Sequence, residues 1–148
     1  MQRGFTVIEM LVAIVIVILL ASFLSGLFGS YLKRNALTNA EQMIRSLLQQ
    51  ARSSSLSSKN ASSFGVYFAS STITLFQGTT YASGDANNIV TSIAPYVSVS
   101  ALNLGGVSQV VFDRLKGSAD KTGTIEVSLT ASSSQKKTIT IYGTGVVQ

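Results

Sequence analysis

From Met10 to Phe28 the chain runs 19 residues without a charged side chain, and no other feature restricts its folding so strongly. A helix rises about 1.5 Å per residue, so this run reaches roughly 28 Å, close to the hydrocarbon thickness of a bilayer. The sequence therefore predicts a single membrane-spanning helix. Glu9 stands at the start of that run, and Arg3 is the one basic side chain before it. A carboxylate at mid-span costs on the order of 2.5–3.5 kcal/mol on insertion scales, and less near an edge. Glu9 needs either a partner or a route to the interface.

The 46% of hydrophobic residues is high beside only 11% charged residues, and the excess sits in this one segment. Beyond it, Ser, Thr and Gly alternate with Val and Ile, the composition of a folded β-rich domain. The chain has no cysteine and no histidine. Disulfides, thiolate chemistry and Cys-based metal sites are excluded, as are the commonest general base and the commonest metal ligand. A net charge of +5, from eleven basic and six acidic side chains, favours solubility and weak attraction to polyanions without naming a partner.

After the span, apolar residues fall at Leu32, Ala36, Leu37, Ala40, Met43, Ile44, Leu47, Leu48 and Ala51, in steps of three and four. This is an amphipathic helix, and the spacing predicts that it continues the span to about Leu56, roughly 75 Å from Phe5. Glu41 and Arg45 lie one turn apart in the favourable order. Gly26 and Gly29 mark a place for local bending or for close helix packing. Residues 52 to 63, "RSSSLSSKNASS", read as a serine-rich exit, and Asn60-Ala61-Ser62 fits a glycosylation acceptor pattern that also arises by chance.

The period then changes to two. Strands are predicted at 64–69, 72–77, 88–93, 96–102, 108–113, 124–130 and 137–143, each with one apolar face. The apolar stripe from Leu32 to Ala51 has to be buried, and an antiparallel sheet wrapped around the end of the helix is the simplest cover. The expected class is α+β.

The amino terminus admits three readings. A cleaved signal peptide would have a cut near Ala21, but the apolar run continues past it. An uncleaved anchor would hold Arg3 in the cytoplasm, although Lys33 and Arg34 after the span blunt that orientation signal. The residues "GFTVIEMLVAIVIVILLASF" resemble the prepilin signature of type IV pilins and type II secretion pseudopilins: Gly, Phe, Thr, two apolar residues, Glu, then an apolar helix. The resemblance implies that a prepilin peptidase cuts after Gly4 and methylates the new amine of Phe5. It also implies that Glu9 pairs with the Phe5 amine of an adjacent subunit during filament assembly.

The order of the remaining segments resembles the GspH/FimT type of minor pilin or pseudopilin, through "GVYF", "VVFDRLKGSADKTGTIEVSL" and "KKTITIYGTGVV". It implies a pilin-like fold: a leader at 1–4, a transmembrane and polymerisation helix at 5–29, its amphipathic continuation at 30–56 and a β-rich head at 57–148. The expected partners are other pilin subunits, the peptidase, and an assembly platform with its motor ATPase. The chain is expected in the inner or cytoplasmic membrane with its C-terminal domain outside, and afterwards in a periplasmic or extracellular filament.

No enzyme, cofactor or metal site is expected. Ser30-x-x-Lys33, Ser118-x-x-Lys121 and Lys121-Thr-Gly123 fit serine-acyltransferase boxes, but such matches are common in a serine-rich chain and the domain is too small for that fold. Asp85, Asn87, Asn88, Asp113 and Asp120 lack EF-hand spacing and suit turns. Two alternatives to a filament subunit stay open. One is a minor pilin that binds DNA through Arg114, Lys116, Lys121, Lys136 and Lys137, although the basic C-terminal motif implied by that resemblance is missing from "YGTGVVQ". The other is a membrane-anchored adhesion domain that does not polymerise.

Overall fold

The computed structural model describes residues 6–148, with the side chains of 23–28 set aside. Helix α1 spans Val7–Leu56, passing through Gly26 and Gly29, and a short 3-10 turn follows at Lys59–Ala61. Among the described residues seven strands follow: β1 (Phe64–Phe68), β2 (Thr72–Gln77), β3 (Ile89–Ser92), β4 (Val97–Asn103), β5 (Gln109–Phe112), β6 (Gly123–Leu129) and β7 (Ser132–Ile141). The chain divides into two units, Met1–Asn35 and Ala36–Gln148.

In the first unit, the large apolar side chains from Val7 to Leu20 are all at least half exposed, from 80% at Val7 to 50% at Ile16. A helix that is apolar all round has no self-contained solution in water, because no face of it is buried. Leu32, expected at the head of the buried stripe, belongs to this unit and is exposed. The buried stripe begins one turn later, where the second unit starts.

In the second unit, Leu37, Ala40, Ile44, Leu47, Leu48, Ala51 and Ser55 are the buried positions of the helix, in the period expected of an amphipathic segment. Their cover is two antiparallel sheets, where one was expected. Strand order is β3-β2-β1-β5 in the first and β4-β6-β7 in the second. The reason is a crossover. Gly105 and Gly106, both left-handed, turn the chain out of the second sheet after β4. Strand β5 then pairs with β1, Phe64 opposite Phe112, and the chain returns through β6. Phe64, Val66, Phe68, Ile73, Leu75, Val110 and Phe112 of one sheet and Val97, Ile125, Val127, Ile139 and Ile141 of the other form one core with the helix stripe. Each large aliphatic fully buried there contributes about 1.5–3 kcal/mol.

The opposite face of the first sheet carries a second apolar layer. Gly65 lies across from Phe76. A Cβ on Gly65 would sit 2.5 Å from the Phe76 ring and 2.8 Å from the Val110 carbonyl, so the bare glycine is what lets the ring lie over the sheet. Tyr81, from the loop after β2, stacks on Tyr67 at 4.1 Å and meets Phe76 edge-on at 5.7 Å. Gln109 fastens that loop by accepting from the Tyr81 amide at 3.1 Å.

Candidate functional site

The first turn of α1 is built around Glu9. The Thr6 backbone amide and the Thr6 hydroxyl both donate to Glu9 Oε2 at 3.2 Å, while the Glu9 amide donates to Thr6 Oγ1 at 3.4 Å. This is a reciprocal capping box: helix N-termini leave amides without partners, and Thr-x-x-Glu satisfies two of them. The carboxylate also lies where the helix dipole favours negative charge. Sequence reasoning took Thr6 only as part of a larger signature and missed this function. The Thr-x-x-Glu spacing before an apolar run was the available signal.

Gly4 and Phe5, the expected cleavage and methylation sites, lie outside the described residues. Among the described residues no helix is long and apolar enough to cross a membrane. The expected span, Met10 to Phe28, includes the side chains of residues 23–28, which are also outside the description.

The five basic residues considered for nucleic acid fall in three places. Arg114 and Lys116 occupy the β5–β6 loop, where the Leu115 amide donates to the Ser55 carbonyl at 2.9 Å and Arg114 Nε to Ser58 Oγ at 2.6 Å. That loop therefore rests on the end of α1. Lys121 lies further along the same loop, just before β6. Lys136 and Lys137 are consecutive on β7, so they point to opposite faces. Lys136 pairs with Glu126 at 3.1 Å on the outer face, and Lys137 with Glu41 of the helix at 3.3 Å.

Glu41 also accepts from Arg45 Nη2 at 2.9 Å, the pairing expected from their spacing. Burial pushes the Glu41 pKa up, but hydrogen bonds from Arg45 and Lys137, with their positive charges, outweigh that effect and hold it below its ordinary value. Arg52 also ties the helix to the segments beside the strands. Its Nε donates to the Gly117 carbonyl and its Nη2 to the Thr144 carbonyl, each at 3.2 Å. One guanidinium thus holds the β5–β6 loop and the turn after β7 against the helix.

Comparison with known proteins gives two likenesses. Residues 1–25 match the family described as the prokaryotic N-terminal methylation motif. No curated protein matches the chain. Among solved structures, it is similar to the type IV minor pilin FimU of Pseudomonas aeruginosa strain PAO1. In the P21 crystal form the identity is 16% and the TM-score 0.58, covering 80% of this chain and 90% of that one. In the P65 form the identity is 15% and the TM-score 0.55, covering 76% and 90%. At such identity the likeness is one of fold. A long helix packed at its C-terminal half on antiparallel strands, led by a prokaryotic N-terminal methylation motif, gives this chain a fold similar to that of the type IV minor pilin FimU.

Proposed function

We propose that the chain is a structural subunit, a pilin or minor pilin, of a type IV pilus or secretion pseudopilus. In this reading the chain is cut after Gly4, methylated on Phe5, held in the membrane as a single-pass protein, and drawn into a filament through its N-terminal helix. The observation that carries the proposal is the methylation motif at residues 1–25, in register with the capped first stretch of α1, whose large apolar side chains from Val7 to Leu20 are exposed on all sides. Such a helix is stable only in lipid or against other helices.

Glu9 is the pivot. In the single chain its carboxylate is already hydrogen-bonded by Thr6, which lowers the cost of leaving it near the bilayer edge. In the assembled state the cationic amine of a neighbouring Phe5, displaced along the helix axis, supplies the opposite charge. Methylation preserves that charge while removing one donor.

Filament yield from cells carrying Glu9→Ala, Glu9→Asp and Thr6→Ser tests the reading. The expected order is Thr6→Ser near the parent, Glu9→Asp reduced and Glu9→Ala at background, with membrane levels of the chain unchanged. Undiminished filaments containing the Glu9→Ala chain would refute it.

A further inference from the structure

Among the described residues the two open sheets have four edge strands, β3 and β5 in the first and β4 and β7 in the second. An exposed edge is a row of unpaired amides and carbonyls, and folded proteins blunt it with charge, a bulge or a covering segment. Three of these four edges are blunted. Residues 118–120 cover β5: the Val111 amide donates to Asp120 Oδ1 at 2.7 Å, and the Asp120 amide donates to the Val111 carbonyl at 2.9 Å. Strand β4 is bulged between Val99 and Ala101, and the Val99 amide already donates to the Ser70 carbonyl at 3.1 Å. On β7, Lys136 and Lys137 guard the middle, and Thr140 exchanges both backbone hydrogen bonds with Gln148, at 2.7 and 3.0 Å.

Strand β3 has none of these devices. The Ile93 amide donates to the Ser71 carbonyl at 2.9 Å, so by the alternation of an antiparallel pair Ile89 and Thr91 face β2 while Val90 and Ser92 face away from it. The backbone N–H and C=O groups of Val90 and Ser92 have no partner among the described residues. Ile89 and Val90, 52% and 60% exposed, stand beside them on opposite faces of the strand. Charge is missing too. Between Lys59 and Asp113 the chain carries one charged side chain, Asp85, and β3 itself has none.

Two observations select what can pair there. The first is charge. The unit Ala36–Gln148 has eight basic and five acidic side chains, a net +3, so two copies repel one another except where their surfaces are neutral, and β3 is a neutral edge. A strand rich in charge would lay its charges against this sheet without counter-ions. The second is self-complementarity. When two copies of β3 run antiparallel and are centred on Thr91, Val90 of each lies opposite Ser92 of the other. The two outward donors and two outward acceptors of each strand are then all satisfied, and the two Thr91 residues face each other in the closely spaced position, with Cα atoms about 4.5 Å apart.

We infer that β3 pairs edge to edge with β3 of a second copy of this chain, about a two-fold axis at Thr91, so that two four-stranded sheets become one continuous sheet. A two-fold contact closes on itself, whereas a filament grows through heterologous contacts, so this pairing joins copies that the filament path leaves apart. It uses no residue of the N-terminal helix and therefore holds or fails independently of the filament reading. Four residues per strand make a small contact, which acts where copies are concentrated in a membrane or a fibre.

The test uses the absence of cysteine from the chain. Thr91→Cys in the full chain, made in its own cells and treated with copper phenanthroline, should give a reducible dimer of twice the chain mass, because Cα atoms at that spacing are within disulfide range. Ser134→Cys, exposed on the lysine-guarded edge β7, is the control and should give at most about a tenth of that yield. Adding Val90→Lys to Thr91→Cys sets like charges on both sides of the axis and should cut the dimer about tenfold or more. Val90 is exposed, so thermal melting of that double variant should match that of Thr91→Cys, which separates lost pairing from lost folding. Ser92→Lys, also at an exposed position, reads the same effect a second time. Disulfides only to a different protein, no dimer at all, an equal dimer from Ser134→Cys, or a yield indifferent to both lysine substitutions would each overturn the inference.

Discussion

Replacing Glu41 by Gln removes a charge that ties α1 to itself and to the second sheet. The carboxylate is 15% exposed, while its partners Arg45 and Lys137 are 32% and 46% exposed. Solvent therefore screens both pairs considerably. An i,i+4 pair of this kind contributes about 0.3–0.5 kcal/mol, and a half-exposed pair between elements about 0.2–1 kcal/mol. The variant should lose about 1 kcal/mol in all, or about 2–4 °C in Tm for a chain of this size. The sign with pH follows from linkage. The folded pKa of Glu41 is lowered, so its contribution is fully present above the unfolded value, about 4.3, and disappears as pH falls through the lower folded value. Urea unfolding of the full chain in detergent, followed by circular dichroism, should show the full deficit at pH 7 and a smaller one at pH 2.5. Raising the salt concentration to about 1 M should shrink it. A deficit of equal size at both pH values would refute the electrostatic account and indicate a packing effect. Lys137→Met, measured alone and combined with Glu41→Gln, isolates the helix-to-sheet share.

Two further substitutions probe the packing. Gly65→Ala forces the Phe76 ring and the Val110 carbonyl apart and should destabilise the head by about 1–3 kcal/mol, with Phe76→Leu recovering part of the loss; calorimetry reads both. Arg52→Lys keeps the charge but cannot reach the Gly117 and Thr144 carbonyls together, so amide exchange should quicken selectively in residues 115–118 and 143–147.

Much of the fold was legible because its signals are local. The helix end at Leu56 and strand β2 at 72–77 coincide with expectation, and the other strands shift by a residue or two at their ends. The exception is β7, which begins at Ser132, five residues before the predicted start. "SSSQK" has no apolar alternation, and it becomes strand because its backbone completes the ladder with β6, where Lys136 lies opposite Ser128. The division into two sheets depends on β5 pairing with β1, a contact more than forty residues away in sequence that no periodicity encodes. The same holds at the side chains. Arg45 was readable as a partner of Glu41 because it is one turn away, whereas Lys137 is brought there only by the fold. The contribution of Thr6 to the first turn was readable and overlooked.

The central claim is that a freed, cationic Phe5 meets Glu9 of a neighbouring subunit in a filament. Mass spectrometry of sheared, purified filaments tests it most directly, through the intact mass and the N-terminal peptide of this chain. The account predicts that the chain is present and begins at Phe5 with one methyl group on its amine. A chain starting at Met1 or near Ser22, or filaments that assemble fully without the chain in cells that make it, would contradict it.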